Sequence, residues 1–269
     1  MMELQVNGHR TYCYTGGKAP DPSRPTIVLL HGALGDHSVW ILQSRYLAHH
    51  GWNVLAVDLP GHCRSDGPPP ATVEAGADFV LALLDAAGLQ QAVLVGHSFG
   101  SLIALEAAGR APQRVRQLVL VGTACPMKVS PTLLQLSLDD PGAAIDMVNV
   151  FSRSTLAPPP SALGPGTWVF GGNRALMHHV LASNPSVNLF HAAFKACNDY
   201  ANGLAAMAAY PGPVLFALGR RDQMTPPRAA QALIGAAAQH RVAMLEVGHH
   251  QMLESPDALL AELRQFLKP

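Results

Sequence analysis

The sequence predicts an α/β fold: a mostly parallel sheet flanked by helices, with a helical lid inserted between two strands of its C-terminal half. Three observations carry this. Short continuous apolar runs alternate with segments whose apolar residues recur at helical spacing. The alternation stops over residues 126–207 and resumes at Pro213. The residues best suited to chemistry fall just after apolar runs, at the carboxyl ends of the strands, where a parallel sheet gathers its ligand sites. A chain of 269 residues is long enough to bury a substantial core.

Leu4, Val6, Tyr12 and Tyr14 alternate with polar residues around Asn7 and Gly8, so residues 3–15 read as a hairpin and an antiparallel edge. After a loop from Gly16 to Pro25, the run from Thr26 to Leu30 suits a strand buried on both faces. It ends in His31, Gly32, Ala33, Leu34 and Gly35, followed by Trp40 and an amphipathic segment over 41–50. A second buried run, Val54 to Val57, is closed by a turn from Asp58 to Ser65. Three prolines at 68–70 lead into a helix over 72–87, with Val73, Ala77, Val80, Leu81 and Leu84 on one face. Ala92 to Val95 is the next strand; it feeds a turn from Gly96 to Gly100, a helix through Arg110, and a further strand from Val115 to Val121.

Helical patterns then occupy 143–151, 173–183 and 187–207, divided by prolines 158–160 and by Gly164 to Gly166. Residues 126–207 read as a lid, and 1–125 with 208–269 as the core domain. A strand from Pro213 to Leu218, a helix over 226–238, a strand over 242–247 and a helix over 255–267 complete the chain. Ser255 is expected to cap that last helix, with Pro256 at its first position.

Composition narrows the partners. Hydrophobic residues make up 49% and charged residues 13%, and eighteen basic residues balance eighteen acidic ones. No basic face suggests nucleic acid, and no apolar run is long enough for a membrane span. The N-terminus lacks the basic and apolar regions of a secretory signal, which makes the cytoplasm the expected location. The four cysteines form no CxxC pair and read as buried thiols; the thirteen histidines lack HExxH spacing, so no metal is expected. A small neutral or apolar molecule is the expected partner, and oligomeric state is open.

Gly96, Ser98 and Gly100 form a Gly-x-Ser-x-Gly turn between an apolar run and a helix, a geometry that presents the serine above the sheet edge. A serine hydroxyl is a weak nucleophile without a base, and an imidazole held by a carboxylate is the usual one. Asp222 follows the strand at 213–218 and His249 follows the next, so Ser98, Asp222 and His249 stand at three strand ends. His250 is an alternative base. The amides of Phe99, at the start of the helix, and of Ala33 are candidate oxyanion donors, with Leu34 a weaker one. Leu34, Phe151, Trp168 and Phe170, with Phe190 and Phe194, either line an acyl pocket or pack the lid.

Taken in order, His31-Gly32, Asp58 to Ser65, Gly96 to Gly100, Gly219 to Asp222, and Gly248-His249 with Glu254 to Pro256 make the chain resemble an α/β-hydrolase of the lid-bearing esterase type over nearly its whole length. The resemblance selects His249 over His250 through its spacing to Glu254 and Pro256. It implies Ser98 as nucleophile, His249 as base, Asp222 as orienting acid, and Ala33 and Phe99 as the oxyanion hole. Ser101 stands where many members carry glycine. His31 and His62 read as structural bridges, and His97 as packing beneath the turn.

The implied activity is cofactor-free hydrolysis of a small or medium carboxylic ester through an acyl-enzyme. The few charges in 126–207 point to an uncharged acyl group. Thioesterase, carbon–carbon bond hydrolase, perhydrolase and acyltransferase chemistry remain open on the same triad, since the fold does not set the substrate. A non-catalytic ligand-binding module is the alternative of another class.

Overall fold

In a computed structural model, which describes residues 1–153 and 168–268, eight strands form one sheet. In chain order the elements are β1 (Met2–Val6), β2 (His9–Tyr14), β3 (Thr26–Leu30), α1 (Ile41–His49), β4 (Asn53–Val57), α2 (Val73–Ala86), β5 (Ala92–His97), α3 (Phe99–Arg110) and β6 (Val115–Val121). Then follow α4 (Pro131–Asp139), α5 (Pro141–Phe151), α6 (Val169–Ser183), α7 (Leu189–Asp199) and α8 (Gly203–Ala209). The chain returns with β7 (Pro213–Gly219), α9 (Gln231–Ala236), β8 (Gln239–Leu245), α10 (Gln251–Glu254) and α11 (Pro256–Phe266).

The strand order is β1-β2-β4-β3-β5-β6-β7-β8, antiparallel from β1 to β4 and parallel from there on. The hairpin turns at Asn7 and Gly8, whose φ values of 51° and 80° are those of a tight type I′ turn. Side-chain alternation sorts the central strands between two cores. Val28, Leu30, Leu94, Leu118 and Phe216 face α2, α3 and α9, while Ile27, Leu29, Val95, Val119 and Leu215 face α1 and α11. Among the described residues, no helix is long and apolar enough to cross a membrane.

Among the described residues five helices, α4 to α8, lie between β6 and β7, and a third apolar cluster holds much of this insert together. It includes Leu133, Ile145, Val148, Met177, Val180, Leu189 and Phe190, and it takes Leu34 from the loop after β3. Cys63 N–H donates to Ser183 Oγ (3.0 Å) and Asn184 Nδ2 to Gly61 O (3.1 Å), fastening the end of α6 to the loop after β4. Helix α8 packs directly on α3, so closely that a Cβ on Gly109 would lie 2.6 Å from Ala206 Cα.

Several boundaries differ from the sequence reading for local reasons. Helix α4 falls in a stretch read without an element; Ser130 accepts from Leu133 N–H and Pro131 stands at its first turn. The pattern over 187–207 divides into α7 and α8, because Tyr200 and Asn202 both leave the helix to bond Glu106. The helix over 226–238 shortens to a 3-10 turn, Pro227–Ala230, followed by α9. Strand β8 starts three residues earlier than read and, at the sheet edge, leaves Val242 and Met244 exposed. Ser255 occupies the cap position of α11 with no side-chain capping bond. All four cysteines are free; Cys13, Cys125 and Cys197 are buried, whereas Cys63 is only half-buried. The prolines at 158–160 and Gly164 to Gly166 lie outside the described residues.

Candidate active site

Ser98 sits between β5 and α3 with φ 52° and ψ −118°, a conformation that L-residues rarely hold. Its N–H donates to Val121 O (3.0 Å), which ties the turn to β6. The flanking glycines are required by contact. A Cβ on Gly96 would lie 2.1 Å from Gly100 O, and one on Gly100 would lie 2.5 Å from His31 O. Ser101 is fully buried, and its hydroxyl donates to Ser98 O (2.5 Å) and meets Thr123 Oγ1 (2.9 Å), so it braces the turn where a glycine could not.

Asp222 follows β7 and His249 follows β8. Asp222 Oδ1 accepts from the amides of Met224 and Thr225, both at 2.8 Å. Oδ2 accepts from Thr225 Oγ1 (2.7 Å) and lies 2.8 Å from His249 Nδ1. Burial alone would raise the Asp222 pKa, but His249 and the Thr225 bonds outweigh it and hold the carboxyl below its ordinary range. That leaves Asp222 an anion against Nδ1 of the His249 ring, with Nε2 on the ring's other side.

The backbone of His249 is held on both sides. Its N–H donates to Ser152 O (2.8 Å), and its carbonyl accepts from His97 Nε2 (2.9 Å). Gln251 also donates to that carbonyl and accepts from Gly219 N–H (3.2 Å), in the amide orientation that satisfies both groups. Burial, then the neighbouring His249, depresses the His97 pKa to about 3, so the ring is neutral and its Nε2 proton serves this bond. His97 thus does more than pack beneath the turn. Gly122, at φ 56°, leaves the space in which the His249 ring lies; a Cβ there would come within 3.2 Å of it.

Ser98 and His249 line one cavity of about 350 Å³, together with Ala33, His97 and His250 from the sheet side. Met127, Leu133, Met147, Val148, Met177 and Phe194 supply its apolar wall from the insert. Phe99 N–H belongs to the first turn of α3, where no intrahelical acceptor exists. Of the expected pocket residues, Phe151 lines the cavity. Leu34 does not; it is 1% exposed at φ 51° and packs under the insert. Trp168 and Phe170 stack on each other (5.9 Å, 27°) outside the lining, with Trp168 66% exposed. Phe190 packs edge-on against Phe194 (4.7 Å). Asp222 bonds His249 and not His250, whose buried Nδ1 has no partner among the described residues.

The remaining polar groups near the strand ends are committed elsewhere. His31 bridges Gly32 O and Leu59 N–H, and His62 Nδ1 lies 2.9 Å from Pro60 O. Asp36, His37 and Asp58 bring their ligand atoms within 4.8 Å of one another. Ser38 already bonds Asp36, while His37 and the Arg64 amide occupy Asp58, so the trio acts as a latch between the loops after β3 and β4. A second cavity of about 270 Å³ lies at the opposite strand ends, near Lys18, Asp21, Arg24 and Asn53, and contains none of the expected site residues.

Sequence reasoning missed Thr225, Gln251 and Ser152. The spacing from Asp222 to Thr225 is visible in the chain as a loop-capping turn; the reach of Ser152 across from the insert is not.

Comparison with known proteins agrees with this fold. A family model described as alpha/beta hydrolase fold matches residues 25–166. A dihydrolipoyllysine-residue acetyltransferase component of an acetoin cleaving system from Pseudomonas putida is 39% identical over 114 residues, 40% of this chain but only 28% of that protein. A pimeloyl-[acyl-carrier protein] methyl ester esterase from Neisseria meningitidis is 28% identical over 227 residues, 81% of this chain and 84% of that one. An enol-lactonase from Burkholderia xenovorans superposes with a TM-score of 0.84 at 23% identity, over 98% of this chain and 99% of that one, a likeness of fold. The strand order, the serine turn and the matched family model place this chain in the α/β-hydrolase family.

Proposed function

We propose that the protein is a serine hydrolase that cleaves small or medium carboxylic esters through a covalent acyl-enzyme. The observation that carries this reading is the 2.8 Å contact between His249 Nδ1 and Asp222 Oδ2 beside a cavity that Ser98 also lines. In this mechanism His249 Nε2 takes the Ser98 proton as Oγ attacks the ester carbonyl. The charge on the carbonyl oxygen is met by the Phe99 and Ala33 amides, whose fixed dipoles stabilise the tetrahedral intermediate more than the substrate. Collapse expels the alcohol with the proton returned from His249, and water repeats the sequence on the acyl-enzyme. Asp222 stays ionised throughout and stabilises the imidazolium.

Residues 126–207 act in this reading as a lid over a core of 1–125 and 208–269. In support, the insert supplies most of the apolar cavity wall, which excludes water and strengthens each electrostatic contact within. The methyl ester esterase among the relatives favours ester over other acyl chemistry.

The test is intact-mass measurement after exposure to a fluorophosphonate. One covalent adduct is expected on the native chain and none on Ser98→Ala; an unlabelled native protein that is folded by circular dichroism sinks the assignment. A panel of acyl esters and thioesters then separates ester from thioester cleavage.

A further inference from the structure

Two segments that meet beside the cavity, one following α5 in the insert and one in the loop after β8, carry buried polar atoms without a partner among the described residues. Ser152 Oγ, the Nε, Nη1 and Nη2 atoms of Arg153, and His250 Nδ1 have no hydrogen-bond partner among the described residues. Ser152 is fully buried, Arg153 is 5% exposed and His250 9%. Ser152 and His250 both line the cavity that holds Ser98, and the bond from His249 N–H to Ser152 O clamps their two segments together. Arg153 stands directly behind Ser152 in the chain and acts electrostatically on His250.

Leaving such groups bare is costly, and more so for a charged one, because the hydrogen bonds lost from water are not replaced. A cluster of them, two of whose three residues line the cavity, therefore calls for an occupant. Its chemistry follows from the donors. A guanidinium offers five N–H groups and accepts nothing; the serine hydroxyl and one imidazole nitrogen can add two further donors. Glu254 exerts an opposing charge on Arg153, and its Oε2 accepts from Gly248 N–H (3.2 Å), but no hydrogen bond joins it to the guanidinium. Arg153 remains a cation at neutral pH, with burial lowering its pKa only to about 10. His250 is neutral, held so by burial and then by Arg153, His97 and His249, the charged and titratable groups that act on it.

We infer that Ser152, Arg153 and His250 form a subsite for a carboxylate on the substrate, so that the preferred ester carries an acidic group remote from the bond cleaved. This rests on the reading of the cavity as an ester hydrolase site. It replaces the expectation of an uncharged acyl group, which followed from how few charges the insert has and not from where one of them lies. No bond is made or broken in the subsite; the carboxylate exchanges water for the hydroxyl, imidazole and guanidinium donors.

The experiment compares monomethyl esters of C4 to C8 dicarboxylic acids with the dimethyl esters of the same acids, using the full chain. At the best length the half-ester should be favoured in kcat/KM by roughly 10- to 100-fold, the value of a charge-assisted hydrogen bond. Arg153→Gln should collapse that preference at least about tenfold through KM, and Arg153→Lys should restore part of it. Equal rates for the two ester classes at every length, or a fall in Arg153→Gln that is the same for both, overturns the subsite and leaves Arg153 as the structural partner of Glu254. Should Arg153→Gln not fold, Ser152→Ala takes its place in the same comparison. Binding gives an independent reading: free dicarboxylates should raise the Tm of Ser98→Ala and raise it less in Ser98→Ala with Arg153→Gln. A Tm response without any ester cleavage or fluorophosphonate adduct keeps the subsite while removing the hydrolase; cleavage of dimethyl esters without the Tm response does the reverse.

Discussion

At the scale of single residues, the proposed mechanism depends on the His249 ring being held in one tautomer. His249 Nδ1 is 2.8 Å from Asp222 Oδ2, and Thr225 Oγ1, itself donating to that oxygen, is 3.1 Å from the same nitrogen. Asp222→Asn preserves the shape but offers an N–H where the ring needs an acceptor. In a Ser-His-Asp mechanism the result is a loss of about 10⁴ in kcat. We expect a fall of that order in ester turnover with fluorophosphonate labelling slowed in proportion; an Asp222→Asn variant within tenfold of native would remove Asp222 from the mechanism. The candidates at this scale were legible to different degrees. Ser98, Asp222 and His249 announce themselves through local motifs, whereas Gln251 and Thr225 are ordinary polar residues until the fold brings them to His249.

At the scale of elements, the junction between α7 and α8 is decided by a buried carboxylate on α3. Glu106 Oε2 accepts from Tyr200 Oη (2.6 Å) and Asn202 Nδ2 (2.8 Å), while Oε1 accepts from Arg110 Nε (2.7 Å). Although burial opposes ionisation, these bonds and the Arg110 charge hold the Glu106 carboxyl below its ordinary range. Ser98 is the N-cap residue of α3, so the helix that follows the candidate nucleophile also anchors the end of the insert. Tyr200→Phe removes one charge-assisted bond and leaves the ring in place. It should lower stability by about 2 kcal/mol, read as a shift in urea midpoint with unchanged slope. Periodicity reads 187–207 as one helix because it registers only which residues are apolar. The break arises from Glu106, some ninety residues away, and no local window contains it.

At the scale of the whole molecule, acid should unfold this protein in two ranges. His62 and His97 have pKa values near 4 and 3, and those of His31 and His250 also lie below 6.5, in each case chiefly through burial. A neutral buried histidine gains its proton on unfolding, so the unfolded chain binds more protons between the depressed value and 6.5. Stability from these groups is complete above about pH 6.5 and declines as pH falls toward 4. Asp58 and Asp222, held below 3.8, contribute a separate loss only below about pH 4. Urea midpoints measured from pH 7.5 down to 5.5 should therefore drop before the carboxylates titrate. A flat midpoint across that interval would show that the histidines are not buried neutral.

Most of the architecture could be read from the chain because strands and helices leave a periodic record in which residues are apolar. The runs at β3, β4, β5, β6 and β7 are buried on both faces and read as continuous, and the Gly-x-Ser-x-Gly turn marks its own strain through Gly96 and Gly100. Helix α4 escaped because four leucines among polar residues resemble a loop until Ser130 and Pro131 start it and the insert packs against it. By itself, then, the sequence determined the parallel core, the place of the insert and the three residues at the strand ends, since each is written in local order and spacing. Only the tertiary structure decided that Leu34 packs away from the cavity, that His97 and Gln251 hold His249, and that Arg153 lies buried next to the cavity-lining Ser152. Those outcomes depend on contacts between residues far apart in the chain, where burial turns a side chain's identity into an energy that no neighbouring residue reports.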